Sequence, residues 1–364
     1  MCNYFLRTAN PSLNLHKHIV FIFYLIVFVS CKNNEHIPDV SGVKVNLENR
    51  RFEQDFFAID TNNVAASMQQ ILRKYPRFTP DFVENILGLD LDSLLIPANA
   101  QDNAIRLFIK DYTPIKDSSD RTFKNFTKEN EDIKKGLQFV KYYFPDYKLP
   151  QSVTTFIGPI NANFQTSFGT QGDILTPEGL GIGLQLHLGK NFSFYQSQEG
   201  QEQYPAYLSN NFDPEHIPVN SLKNIIDDLF PDRSAGKPLI EQMVEKGKRL
   251  YLLTKFLPYT SEYLCIGYTE KQLKDAYTNE AVIWDFFLNN ELLNNAEENI
   301  TKNYIGESPK TQEFGNDSPG NLGSFSGLQI VKKFMEKYPE TQLRDLINIE
   351  GREIFSKSKY KPRS

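Results

Sequence analysis

The sequence predicts an α+β domain, predominantly helical with a small antiparallel or mixed sheet. Three observations carry this expectation. Apolar residues recur at helical spacing along most of the chain, a β-branched and aromatic patch interrupts them between about 153 and 188, and 40% hydrophobic with 13% aromatic residues supply a core. A disordered chain has too few apolar side chains to offset the entropy of ordering, which is the opposite of this composition.

The first thirty residues read as an export signal. Ile19 to Val29 is an unbroken apolar run preceded by Arg7, His16, Lys17 and His18. As a helix it spans roughly 16 Å, well short of the ~30 Å hydrocarbon core, so a permanent transmembrane helix is the weaker reading. Ser30-Cys31 follows, then the polar Lys32-Asn33-Asn34-Glu35. This junction resembles a bacterial lipobox, which implies cleavage before Cys31 and acylation of that cysteine. Phe28 departs from the aliphatic residue usual three positions earlier. The alternatives are an ordinary cleaved signal with an incidental Cys31, or a buried helix. The expected organisation is a signal peptide over 1–30, a lipid-anchored tether over 31–42 and a single domain over 43–364.

Forty basic against 45 acidic side chains give a net charge of −5. No general basic field exists to neutralise phosphates, and nucleic acid is excluded as a partner class. Cys2, Cys31 and Cys265 are too scattered for a disulfide framework or a thiolate zinc site.

Along the body, Val43 to Leu47 alternates apolar and polar residues and predicts an edge strand. Helical spacing predicts helices over about 50–58, 62–75, 80–87, 101–113 and 122–144, with Tyr75-Pro76, Gly88 and Thr113-Pro114 as stops. Strands are expected at 153–158, 162–168 and 181–188. After Pro218, helices are expected at 220–229, 238–256, 269–294, 321–338 and 341–349, with Asn220 or Ser221 capping the first and Trp284 in the core.

Motif by motif, catalytic chemistry is hard to place. His-Glu-x-x-His, Cys-x-x-Cys, the phosphate-cradling Gly-x-x-x-x-Gly-Lys-Ser/Thr and Gly-x-Ser-x-Gly do not occur. Gly179-Leu180-Gly181-Ile182-Gly183 has the wrong spacing for a dinucleotide loop, and close backbone packing explains it better. His187 on a strand and His216 in a loop, 29 positions apart, would meet only by tertiary accident. Asp227-Asp228 and Glu297-Glu298 point about 100° apart on a helix, so neither pair converges as acid and base; solvated faces are expected.

In combination, several segments resemble one family. These are the lipobox, Leu180 to Gly189, Tyr204-Pro205-Ala206-Tyr207, Phe212 to Ile217, Ile266 to Glu270, Asn279 to Trp284, Phe314 to Gly320, Gly327 to Val331 and Lys357 to Pro362. Together they look like the gliding-motility lipoprotein GldB family of Bacteroidetes-type bacteria, over essentially the whole mature chain. The resemblance implies a cell-envelope lipoprotein, on the periplasmic side of the inner or outer membrane, that is required for gliding and works beside other motility or secretion proteins.

That family is in turn similar to zincin-like predicted metalloproteases. In these, one helix supplies His-Glu-x-x-His and a later helix a Glu beside a Gly. Here the helix near 220–229 takes the first place without a histidine, and Val244-Glu245-Lys246-Gly247 puts Lys246 where that Glu belongs. The expectation is a degenerate zincin-like scaffold with no catalytic residue, metal or cofactor. The rival readings are a metallohydrolase that has kept its activity and a lipid-anchored glycan- or peptide-binding protein. The loop bearing Phe314, Gly315, Pro319, Gly320 and Gly323 is the candidate interaction surface, with a purely structural turn as its alternative.

Overall fold

The β-rich patch folds into a four-stranded mixed sheet in the computed structural model of the protein, which describes residues 37–362. The signal and Cys31 lie outside these residues. From Val40 onward the chain packs as one unit, and Val40, within the expected tether, is itself buried.

Strand β1 (Glu48–Arg51) leads into helices α1 (Phe52–Phe57), α2 (Val64–Lys74), α3 (Asp102–Thr122) and α4 (Thr127–Tyr143) before β2 (Ser152–Phe156). A hairpin of β3 (Phe164–Thr166) and β4 (Gly169–Gln171) follows, then β5 (Ile174–Leu175) and β6 (Leu180–Gly183). The sheet order is β1-β2-β6-β5. The first two pairings are parallel, registering Glu48 with Ser152 and Val153 with Leu180, and β5 runs antiparallel to β6. The longer helices after the sheet are α5 (His216–Leu229), α6 (Leu239–Phe256), α7 (Glu270–Thr278), α8 (Glu280–Asn289), α9 (Glu298–Ile305), α10 (Leu322–Lys337) and α11 (Gly351–Ser358).

The α+β class and helical majority hold, while several boundaries move for identifiable reasons. The edge strand is 48–51, not 43–47. Residues 43–47 run beside the core without a ladder partner, and Gln138 Nε2 donates to the Val43 carbonyl at 2.8 Å. Helix α3 continues through Pro114 to Thr122. Pro114 and Lys110 are exposed, so water can serve the Lys110 carbonyl that the missing amide leaves free. The predicted 122–144 helix starts only at Thr127, because Phe126 takes a left-handed turn that buries it beside Phe123. Asn279 breaks 269–294 into α7 and α8, with Thr269 and Gln272 forming a capping box.

The sheet separates two apolar clusters. Phe52, Phe56, Tyr75, Phe78, Phe82 and Phe156 interlock in one, with ring centroids as close as 4.7 Å. The larger cluster fills the space among α4, α5, α6, α8 and α10, and includes Trp284 edge-on to Tyr360 at 4.9 Å. At the centre α6 crosses α10 at Gly247 and Gly327. A Cβ on Gly247 would stand 2.2 Å from the Gly327 carbonyl, and one on Gly327 1.7 Å from the Met243 oxygen. Gly179 and Gly183 likewise face backbone at 2.2 and 2.4 Å, so close packing accounts for their lack of side chains.

Helix α6 also carries two fully buried cations. Lys248 pairs with Glu245 at 2.7 Å and donates to the Ile349 carbonyl at 2.8 Å. Arg249 donates to the Phe230 carbonyl at 2.8 Å and lies 4.2 Å from that residue's ring, with Glu245, Asp227 and Asp232 within 4.0 Å.

Candidate functional site

Helix α5 begins at His216, four residues earlier than the sequence suggested. Pro218 falls in its first turn, where an amide has no intrahelical partner to lose, so the proline opens the helix instead of preceding it. Asn220 and Ser221 therefore sit inside the helix and cap nothing. Of the apolar stripe that helical spacing predicts, Leu222, Ile225 and Ile226 are fully buried and Leu229 is half-buried. On another face His216, Asn220 and Lys223, at i, i+4 and i+7, line a cleft of about 780 Å³. Its other walls are the β3–β4 hairpin, parts of the 186–213 segment, residues 263–272 and the 307–321 loop.

His216 is 5% exposed and neither ring nitrogen has a partner. Burial, with Lys223, His187 and Lys190 nearby, pushes its pKa from 6.5 down to about 3. Near neutral pH it is thus an uncharged imidazole with one donor and one acceptor. A base whose pKa is depressed on folding binds fewer protons folded than unfolded, so stability must fall as pH drops below 6.5. Between pH 6.5 and about 4 this amounts to on the order of 3 kcal/mol. His216→Gln is expected to flatten that acid limb in urea titrations repeated across pH, and an unchanged slope would contradict the burial argument.

Lys223 is half-buried, its Nζ 5.6 Å from the Phe168 ring. It has no hydrogen bond or ion pair among the described residues. Burial lowers its pKa against the opposing pull of Cys265, Glu307 and Asp227. Glu307 closes one rim by accepting from Thr170 N at 3.2 Å and Thr170 Oγ1 at 2.9 Å. Asp213 accepts from Lys190 N at 2.8 Å.

His187 lies just past β6, at the end of a 3₁₀ turn and not in a strand. Its Nε2 is 2.9 and 3.0 Å from the two oxygens of buried Asp173, which also accepts the Gly183 amide at 3.1 Å. The fold brings it near His216, where it is among the groups that depress the His216 pKa. That proximity joins a strand end to a helix start and has no signature in the sequence.

The candidate surface loop divides. Pro319 and Gly320 are buried and line the cleft, held by Thr311 N donating to the Pro319 carbonyl at 3.0 Å and Tyr268 OH to the Gly320 carbonyl at 3.0 Å. Phe314 packs edge-on to Phe286 at 5.0 Å, Gly315 is at the exposed tip, and Gly323 lies in α10 against the Tyr304 carbonyl. These three do not line the cleft. Asp227 and Asp228 are not merely solvated: Asp227 accepts from Ser167 N at 2.7 Å and Asp228 from Tyr147 OH at 2.7 Å. Glu297 and Glu298 are exposed as expected. Cys265 is buried, and desolvation pushes its thiol up to about 12.

One pattern escaped the sequence reading. His216-Ile217-Pro218-Val219-Asn220 has the i, i+4 spacing by which a zinc helix presents two imidazoles, and it was hidden because Pro218 read as a boundary. The donors do not fit zinc. Ile217 replaces the glutamate and Asn220 the second imidazole, and Lys223 brings a cation one turn on. Glu245, on α6, is engaged by Lys248 and Arg249 away from the cleft. Among the described residues no three His, Cys, Asp or Glu side chains converge as a metal site, and no helix is long and apolar enough to cross a membrane.

Neither a curated protein nor a solved structure matches this chain. The family profile described as gliding motility protein GldB matches residues 33–362, which takes in both apolar clusters, the sheet and every wall of the cleft. The chain belongs to the GldB family of gliding motility proteins.

Proposed function

We propose that this chain is a non-catalytic, lipid-anchored component of the cell envelope that supports gliding alongside other motility or secretion proteins on the periplasmic side of a membrane. The observation that carries the non-catalytic part is the α5 face in the cleft. Where a zincin helix offers two imidazoles and a carboxylate, this one offers a single neutral imidazole, an amide and an ammonium. Such a set neither holds Zn²⁺ nor lowers the pKa of a bound water. Cys31, at the end of an apolar run too short to span a bilayer, is the acylation site in this reading.

Deleting the gene in its native organism is expected to abolish colony spreading and single-cell movement, and the wild-type allele to restore them. Cys31→Ser is expected to lose fatty-acid labelling, to appear in the soluble fraction and to restore spreading poorly. Normal movement in the deletion strain defeats the motility role. A Cys31→Ser protein that stays labelled and membrane-bound defeats the anchor alone.

A further inference from the structure

We infer that the cleft on α5 is a binding site for a neutral, hydroxyl-rich ligand, a short oligosaccharide. Its volume of about 780 Å³ lies within the ~300–1,000 Å³ typical of small-molecule sites. The inference is independent of the motility role and concerns what this surface holds.

The first support is the unmet hydrogen-bonding capacity of the walls. His216 is buried with no protein partner on either ring nitrogen, so water or a ligand in the cleft must supply an acceptor and a donor. A hydroxyl does both. The half-buried Asn211 and Asn220 also line the cleft, together with the exposed Asn191 and Asn210. Each amide carries donors and an acceptor in one plane, which matches a pair of neighbouring hydroxyls better than it matches a charge.

Charge is the second support. Asp213, Glu215, Glu270 and Glu307 face the cleft against only Lys190 and Lys223, so a polyanion meets a net repulsive wall, whereas carboxylates accept readily from hydroxyls. The half-buried rings of Tyr207 and Tyr263 give flat apolar faces with a polar tip, suited to the C–H face of a sugar ring.

A peptide is less well served. Strand addition needs a free sheet edge, but β3 and β4 are three residues each and the Thr170 amide is already held by Glu307.

The test uses the full-length protein in detergent, with neutral trisaccharides of the malto-, cello-, manno-, laminari- and chito- series as probes. A charged oligouronate and a mixture of short unstructured peptides serve as comparisons. At least one neutral trisaccharide is expected to raise the melting temperature by about 2 °C at roughly tenfold its dissociation constant. Calorimetry is expected to show that binding weakened tenfold or more in Asn220→Ala, which alters only a half-buried helix face and keeps helix propensity, and in His216→Phe. Absence of any shift with every neutral sugar at about 10 mM, where even a ~1 mM ligand would register, overturns the proposal. So does a response only to the uronate or the peptides, or binding that both variants leave unchanged.

Discussion

Gly327→Ala is expected to destabilise the protein by about 4 kcal/mol or more, at the severe end for a single added methyl group. The new Cβ would stand 1.7 Å from the Met243 carbonyl oxygen, and both partners are helical backbone, so no side chain can swing away. Relief requires α6 and α10 to separate along a crossing that lies inside the larger core. Gly247→Ala meets the Gly327 carbonyl at 2.2 Å and should cost a similar amount. Because either change forces the same separation, the double variant should lose less than the sum of the singles. Gly42→Ala, whose methyl meets nothing within 4 Å, is the control and should stay within about 0.5 kcal/mol. Urea unfolding of the parent and the four variants measures all of this. A Gly327→Ala protein as stable as the parent would mean that the helices do not cross this closely.

Arg249→Met should cost about 3–5 kcal/mol, the range for removing one partner of a buried ionic cluster. The guanidinium is fully buried and faces Glu245, Asp227 and Asp232, while its Nη2 serves the Phe230 carbonyl. Methionine fills much of the volume and leaves three carboxylates with less compensation. Arg249, Lys246 and the Ser234 hydrogen bonds hold the Asp232 carboxyl well below the usual carboxylate range, against the opposing effect of burial. An acid whose pKa is depressed on folding contributes stability above its unfolded value of 3.8, and this is lost as pH falls toward the folded value. The deficit of Arg249→Met should therefore shrink as pH is lowered through about 4. Arg249→Lys should not restore the parent, because a single ammonium nitrogen lacks the planar fork whose Nη1 and Nη2 reach the Glu245 and Phe230 carbonyls separately. A deficit that is constant with pH would show that packing, not charge, is what was lost.

Much of the framework was legible because periodicity reports burial directly. The stripe of Leu222, Ile225 and Ile226, the α6 helix and the core position of Trp284 all followed from spacing. What spacing could not show was where local rules yield to tertiary ones. Pro114 read as a stop and Pro218 as the boundary before a helix, yet the first is carried through a helix on an exposed face and the second sits in a first turn. The second misreading hid the candidate site, since it left His216 in a loop and separated it from Asn220. The cleft itself joins segments from Thr166 to Asn321, and no local pattern announces such an assembly. The loop about Phe314 was singled out for its glycines and proline, but only Pro319 and Gly320 face the cleft, and the others pack the backbone around it or form the tip.

Whether the α5 face of the cleft, with one imidazole, one amide and one lysine, holds zinc is tested most directly by the zinc content of the full-length protein, purified without chelator after growth in zinc-sufficient medium. The account predicts zinc far below one ion per chain, and no difference between the parent and His216→Ala. One zinc per chain, lost in His216→Ala, would contradict it.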